Sequence, residues 1–289
     1  MGQTWNELLR EGQEQLETAQ VPEASLDARY LLEEAFDISR SYLLLHGTEE
    51  IPGSAVENGS LKRYRQWITR RAQRIPLQHL MGYQEFCGLR FSVDEHVLIP
   101  RQDTEVLVEL VLRDYPRRMA EQASVLDLCT GSGCILLSLL ELGHFRQGLG
   151  IDLSEEALKV AMRNQKDLQI TAAEFRKSDL FEAVMEREWD VIVSNPPYIA
   201  ESERPELMPE VAEHEPEMAL FAPENGLAFY RKLAEMSGAY LKKGGRIYLE
   251  IGCTQGAAVK GLLEEHGFSE VKICPDYAGL DRVVTGIWK

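Results

Sequence analysis

Asn195-Pro196-Pro197-Tyr198 is the stretch whose residue types and spacing are best suited to chemistry. An asparagine amide carries a carbonyl acceptor and an NH2 donor, and an aromatic ring three residues on can cover a flat group held there. The two prolines between them donate no backbone hydrogen bond and stiffen the turn. The combination suits a planar, NH2-bearing substrate. A second constellation precedes it: Asp127-Leu128-Cys129-Thr130-Gly131-Ser132-Gly133, with Asp152 about 20 residues further on. Glycines in such a loop let the backbone approach a ligand, and the following helix presents free N–H groups. A carboxylate at the end of the next strand binds ribose hydroxyls. Loop and acid together fit NAD or S-adenosylmethionine, and the short loop without a full GxGxxG disfavours a dinucleotide.

The elements that must position these residues follow from periodicity. Trp189-Asp190-Val191-Ile192-Val193-Ser194 is an apolar, β-branched run that reads as a buried strand, so Asn195 stands at its C-terminal edge. From about residue 120 strands and helices alternate. Strands are expected at 124–128, 148–152, 174–176, 189–194, 246–251, 271–274 and 282–287, and helices at 134–140, 154–164, 227–240 and 255–266. This pattern predicts an open, mostly parallel Rossmann-like sheet of seven strands closed by an antiparallel edge.

The first 82 residues read as a small helical domain. Thr4-Trp5-Asn6-Glu7 is a capping box, and Trp5, Leu8, Leu9 and Leu16 keep helical spacing behind it. Further amphipathic helices are expected at 24–36, 41–45 and 61–74. The last of these carries Lys62, Arg63, Arg65, Arg70, Arg71 and Arg74 on its polar side, which reads as a solvated face or as a dock for an acidic partner. Residues 83–96 alternate around Gly88 as a hairpin linker, and 97–289 form the sheet domain. The acidic stretch 199–224 has few strand or helix signals and reads as a peptide-gripping lid or as an extra surface helix around Pro205.

Composition bounds the partners. Acidic residues number 47 against 31 basic ones, for a formal net charge of −16. A protein bound mainly to nucleic acid phosphates is expected to be basic, so nucleic acid is disfavoured. No apolar run approaches the roughly 18 residues of a membrane span. The five cysteines are scattered without CxxC spacing. They read as reduced thiols of a cytoplasmic protein, with no metal site.

The glycine loop, Asp152, Ser178-Asp179-Leu180-Phe181 and Asn195-Pro196-Pro197-Tyr198 resemble, in order and spacing, class I S-adenosylmethionine-dependent methyltransferases. More narrowly, the chain is similar to the peptide-chain release factor glutamine methyltransferases. Pro76-Leu77-Gln78-His79-Leu80-Met81-Gly82, Leu98-Ile99-Pro100-Arg101-Gln102-Asp103-Thr104-Glu105, Glu215-Pro216, Gly226-Leu227 and Asp281-Arg282-Val283 carry that likeness over nearly the whole chain. Cys129 stands where glycine is commonly expected, and Gln102 where proline is usual.

The resemblance implies S-adenosylmethionine as methyl donor, leaving S-adenosylhomocysteine. It implies the glutamine of a Gly-Gly-Gln loop in release factors as acceptor, with the N-terminal domain recognising that substrate. By resemblance, the backbone of Cys129, Thr130, Gly131, Ser132 and Gly133 cradles the methionine part of the cofactor and Asp152 its ribose. Leu180 packs on the adenine, with Asp179 near its exocyclic amine, and Asn195 borders both ligands. Asn195 and Pro196 accept the two amide hydrogens of the substrate, Pro197 stiffens the site, and Tyr198 stacks on the amide plane. Arg101 reaches the cofactor carboxylate or the peptide, or else pairs with Asp103 or Glu105. Two other acceptors stay open: a glutamine of a ribosomal protein, and an adenine or guanine amine, since those enzymes use a related Pro-Pro turn.

Overall fold

The computed structural model describes residues 2–184 and 189–289, which fall into two compact units. The first comprises residues 1–82 together with Met208–His214. Its long helices are Trp5–Thr18, Ala24–Phe36 and Ser60–Ala72, each with one face turned to a shared core that includes Trp5, Leu8, Leu31, Tyr64 and Ile68. The first helix starts where the capping box predicts. The Thr4 hydroxyl accepts from the Glu7 N–H at 3.3 Å, and the Glu7 carboxylate accepts from the Thr4 N–H at 2.8 Å.

The basic helix departs from the expectation of a uniformly solvated or docking face. Arg71 is buried: its Nε donates to Asp27 at 2.7 Å and its Nη2 lies 2.8 Å from Glu210. Arg74 also grips Glu210, at 2.6 and 2.8 Å. Arg63 donates to the carbonyl of Ala35 at the end of the helix Ala24–Phe36. These arginines complete the unit's own charges and helix ends.

The second unit holds a hairpin and a sheet. The hairpin is β1 (Tyr83–Phe86) and β2 (Leu89–Ser92), paired antiparallel. The sheet strands are β3 (Ser124–Leu128), β4 (Gln147–Asp152), β5 (Ala173–Lys177), β6 (Trp189–Ser194), β7 (Leu241–Glu250), β8 (Phe268–Pro275) and β9 (Asp281–Trp288). Among the described residues they form one seven-stranded sheet in the order β5-β4-β3-β6-β7-β9-β8. Pairing is parallel from β5 to β7, and β9 runs antiparallel to both its neighbours. This is the Rossmann-like sheet with an antiparallel edge that the strand pattern predicts.

One core lies under the helices Gln102–Asp114 and Cys134–Gly143, and the other under Ala228–Ser237 and Gly256–Glu265. Every residue of β3 is buried, as a central strand covered on both faces requires. The chain builds β3, β4 and β5 in one direction, then crosses back to lay β6 and β7 on the other side. The order therefore switches between β3 and β6, where the carboxyl ends of parallel strands leave a crevice.

Candidate active site

The crevice at that switch point is a cavity of about 340 Å³. The loop after β3 forms its floor. Gly131 donates its N–H to the Asp152 carboxylate at 2.8 Å, and Ser154 donates to the other oxygen at 2.9 Å. Both bonds fix the acid at the end of β4, in the lining of the cavity. Gly131 takes a left-handed φ of +54°, and a Cβ added there would meet nothing within 4 Å. Its bare backbone is thus open on the side where a ligand would lie.

Beneath the loop, the Thr130 hydroxyl donates to Asp127 at 2.6 Å, and buried Asn164 donates its amide to the carbonyl of Ser132 at 2.9 Å. Burial pushes the Asp127 carboxyl up to about 7. The cavity wall above the loop is apolar and includes Ile135, Leu153 and Leu180, with Leu153 half exposed. An apolar slot beside a carboxylate suits a nucleoside: hydrocarbon for the base, acceptor oxygens for the sugar.

Asn195 and Pro197 line the opposite side of the cavity at the end of β6. The Asn195 side-chain NH2 lies 3.4 Å from the Thr104 hydroxyl. Behind the turn, the carbonyl of Tyr198 accepts from the Gln255 amide at 3.0 Å. A Cβ on Gly226, which has φ +82°, would fall 2.0 Å from that same carbonyl oxygen. Only glycine lets this second chain segment pass so close behind the turn. Glu250, at the end of β7 beside β6, is 2% exposed and one of its carboxylate oxygens has no partner among the described residues. Burial raises its carboxyl to about 7, against hydrogen bonding from Thr104 and the charge of Arg282.

A family model described as "PrmC N-terminal domain" matches residues 7–82, and one described as "Methyltransferase small domain" matches residues 102–217. A release factor glutamine methyltransferase of Cereibacter sphaeroides is 41% identical, over 96% of this chain and 96% of its own. Another, of Clostridium acetobutylicum, is 38% identical over 90% of each. The chain belongs to the release factor glutamine methyltransferase family. It is an enzyme of the methyltransferase class. A methyltransferase from Pyrococcus furiosus superposes with a TM-score of 0.53 at 20% identity, covering 70% of this chain and 90% of that one, which shows the shared fold.

Within this methyltransferase, the cavity brings together Cys129, Thr130, Gly131, Ser132, Asp152, Asp179, Leu180, Asn195, Pro197 and Arg101 from the positions the sequence singles out. Gly133, Pro196 and Tyr198 are not among its lining residues. Tyr198 packs against the core that contains Ile192 and Tyr230, where burial raises its hydroxyl pKa. Gly133 opens the helix Cys134–Gly143 with φ +78°.

Cys129 has φ +61°, which explains why glycine is the expected residue there. Arg101 pairs with Glu215, whose carboxylate is almost wholly buried; Asp103 pairs with Arg282 at 3.3 Å. Sequence reading missed Glu215 and Glu250 as site-edge carboxylates, and Phe229 and Lys232 as cavity wall. Glu215-Pro216 carries part of the family likeness, so its signal was present without a role; an isolated Glu at the end of β7 carried none.

Proposed function

We propose that this enzyme transfers a methyl group from S-adenosylmethionine to the side-chain nitrogen of the glutamine in the Gly-Gly-Gln loop of peptide-chain release factors. The observation that carries the reading is that Asn195, at the end of the strand beside β3, lines the same cavity as Gly131 and Asp152. The substrate class rests on the names of its relatives. The acidic balance of the chain favours a protein over a nucleic acid.

The residues present fit the cofactor. Gly131 leaves the backbone open on the ligand side, Asp152 offers carboxylate oxygens to a ribose, and Leu180 with Leu153 offers apolar cover to an adenine. We assign Asp179 to the exocyclic amine, and the Cys129–Gly133 backbone to the methionine end. S-adenosylmethionine supplies an electrophilic methyl group when bound there.

The chain's own residues then have to make a poor nucleophile react. A primary amide nitrogen has its lone pair delocalised into the carbonyl. The Asn195 side-chain oxygen and the Pro196 carbonyl accept its two hydrogens. They hold the nitrogen in line and favour the positive charge it gains as the new bond forms. Pro197 keeps the turn rigid, Tyr198 covers the amide plane and contributes a cation–π interaction, and Arg101 steadies the rim through Glu215. The nitrogen sheds its extra proton once methylated, so no strong base is needed. Positioning of this kind contributes roughly 7–11 kcal/mol to barrier lowering in favourable cases. The helical unit, residues 1–82, is assigned to recognition of the release factor, the segment 83–96 to a linker, and 97–289 to the methyl-transfer domain, acting in the cytoplasm.

The test is to incubate the protein with radiolabelled S-adenosylmethionine and, separately, release factor, ribosomal protein and DNA. Label is expected on the release factor and absent when its Gly-Gly-Gln glutamine is replaced by alanine. Label on DNA or ribosomal protein alone would overturn the reading.

A further inference from the structure

Asp281-Arg282-Val283, one of the stretches that carry the family likeness, has no task in the proposed chemistry. It opens β9, directly after the tip of the β8–β9 hairpin, and the register of the sheet fixes where that tip lies. Ser194 of β6 pairs with Leu249 of β7, and the next residue of β7, Glu250, pairs with Val283 of β9. Asn195, which follows Ser194, is therefore level with Glu250 and Val283. β9 runs opposite to β6 and β7, so the residues before Val283 extend past the same end of the sheet as the Asn195 turn. Strand spacing puts the tip about 10 Å to the side of Asn195, and Leu280, three residues before Val283, about 10 Å beyond it.

The tip is built as a rigid block around Asp276. One oxygen of this buried carboxylate accepts from the N–H groups of Ala278 at 2.9 Å and Leu280 at 3.0 Å. The other accepts from the Arg282 guanidinium at 3.0 and 3.2 Å. The Asp276 N–H donates to the Leu280 carbonyl at 2.8 Å, and Gly279 takes the left-handed φ of +82° that the turn requires. This order serves a loop that keeps two large apolar residues in water: Tyr277 is 73% exposed and Leu280 51%. The Tyr277 hydroxyl reaches Glu109, which holds a ring that is otherwise solvated.

A stable protein–protein contact covers about 800 Å² of each partner, a patch roughly 30 Å across. A patch of that size centred on Asn195 takes in the tip. A tyrosine and a leucine on a rigid loop lose little freedom when they are covered, and aromatic residues recur as anchors of such contacts. We infer that the β8–β9 tip, through Tyr277 and Leu280, is a docking surface for the protein that carries the acceptor glutamine, and that it covers an apolar patch beside that glutamine. The inference rests on the reading of Asn195 as the residue that holds the substrate amide.

The experiment measures methyl transfer from radiolabelled S-adenosylmethionine by the wild type, Tyr277→Ala, Leu280→Ala and Tyr277→Phe. Two acceptors are compared: intact release factor, and a five-residue peptide with the glutamine of its Gly-Gly-Gln sequence at the centre. Such a peptide extends only about 7 Å to either side of that glutamine. For the release factor, each alanine variant is expected to raise KM about 5–30-fold, the range of an interface anchor, with kcat unchanged. Tyr277→Phe, which keeps the ring and loses the bond to Glu109, stays near wild type. The kcat/KM for the peptide, cofactor affinity by calorimetry and Tm stay unchanged in all three.

An unchanged KM for release factor, an equal loss on the peptide, or a wild-type dimer in analytical ultracentrifugation that Tyr277→Ala dissociates would each overturn the inference. The acceptor reading fails separately. If the wild type labels a ribosomal protein and no release factor, the same comparison on that protein decides on the tip. If it labels DNA alone, both readings fall.

Discussion

Asn195 concentrates the chemistry in one side chain, and its neighbours explain why replacing it is costly without being structurally disruptive. It sits at the end of a fully formed strand and touches Thr104 across 91 positions of sequence. Removal of a single preorganised hydrogen-bonding group at a reacting centre costs about 10²–10³ in kcat. Asn195→Ala is therefore expected to lose that factor in labelling rate while its thermal unfolding stays close to wild type. Turnover equal to wild type would remove the residue from the mechanism.

Asn195 and Asp152 are legible in the sequence because each ends a strand that the sequence announces, by β-branched residues or by a glycine-rich run. Glu250 was not, because what matters about it is its burial at the end of β7 among segments distant in sequence. The same reason explains Arg101. Its partner was sought at Asp103 and Glu105, near in sequence, and lies at Glu215, 114 positions away.

Among the elements, the turn after β6 is held from behind by Gly226 and Gln255. A methyl group at Gly226 cannot coexist with the Tyr198 carbonyl, so one of the two segments must move. A displacement of about 1 Å at a reacting group costs on the order of 10² in rate. Gly226→Ala is expected to show that loss in kcat, with a lowered Tm from the left-handed φ it must adopt. In the first unit, Arg71 lies between two buried or half-buried carboxylates. Burial pushes the Asp27 carboxyl up in spite of Arg71, whereas Arg74 and Arg71 hold the Glu210 carboxyl below its ordinary value against the effect of burial.

Arg71→Ala leaves both acids without their shared cation, and breaking a buried pair in this way costs about 3–5 kcal/mol. Urea unfolding followed by the fluorescence of Trp5 and Trp67 would measure it. Arg71 was expected on the polar side of its helix, but it stands seven residues after Tyr64 and three after Ile68, and helical periodicity puts it on their buried face. Periodicity could not reveal that the residues Met208–His214, far along the chain, bring Glu210 to it. The long acidic stretch accordingly resolves into a 3₁₀ turn at Glu201–Glu206 and helices at Pro209–His214 and Glu217–Leu220, too short to leave a periodic trace in the sequence.

At the scale of the molecule, two carboxyls buried at the crevice make stability depend on pH. Burial raises Asp127 from an ordinary 3.8 and Glu250 from an ordinary 4.5, both to about 7. Between those ordinary values and about 7 the folded protein holds protons that the unfolded chain has released. Stability from these groups is therefore full at acid pH and declines as pH rises through the window. The groups facing Glu250 are Thr104, Arg282, Asp103 and Arg101, and those facing Asp127 are Thr130, Asp152 and the Leu136 N–H.

Glu250→Gln should raise Tm relative to wild type by an amount that grows from pH 4.5 to 7. Differential scanning calorimetry across that range measures it, and a pH-independent difference would contradict the burial argument. The seven-stranded, mostly parallel sheet with an antiparallel edge was legible, since alternating strand and helix patterns admit few topologies; the order of its strands came from the structure.

The position of β9 has a consequence for how the sheet comes into being. β9 is made after β8 yet lies between β8 and β7, bonded to both. During synthesis, β8 emerges with no ladder to join, and β7 keeps an open edge, until the later strand slots in. The Arg282 cation, two residues into β9 by sequence, reaches the Glu250 end of β7 only at that moment, since β9 runs opposite to β7. A nascent chain that has exposed β3 to β8 thus has the residues of the loop and of the cavity lining, with Asn195, but lacks the strand that closes the edge and brings Arg282 to Glu250. One strand, the last in sequence, closes the β7 edge and gives β8 its ladder.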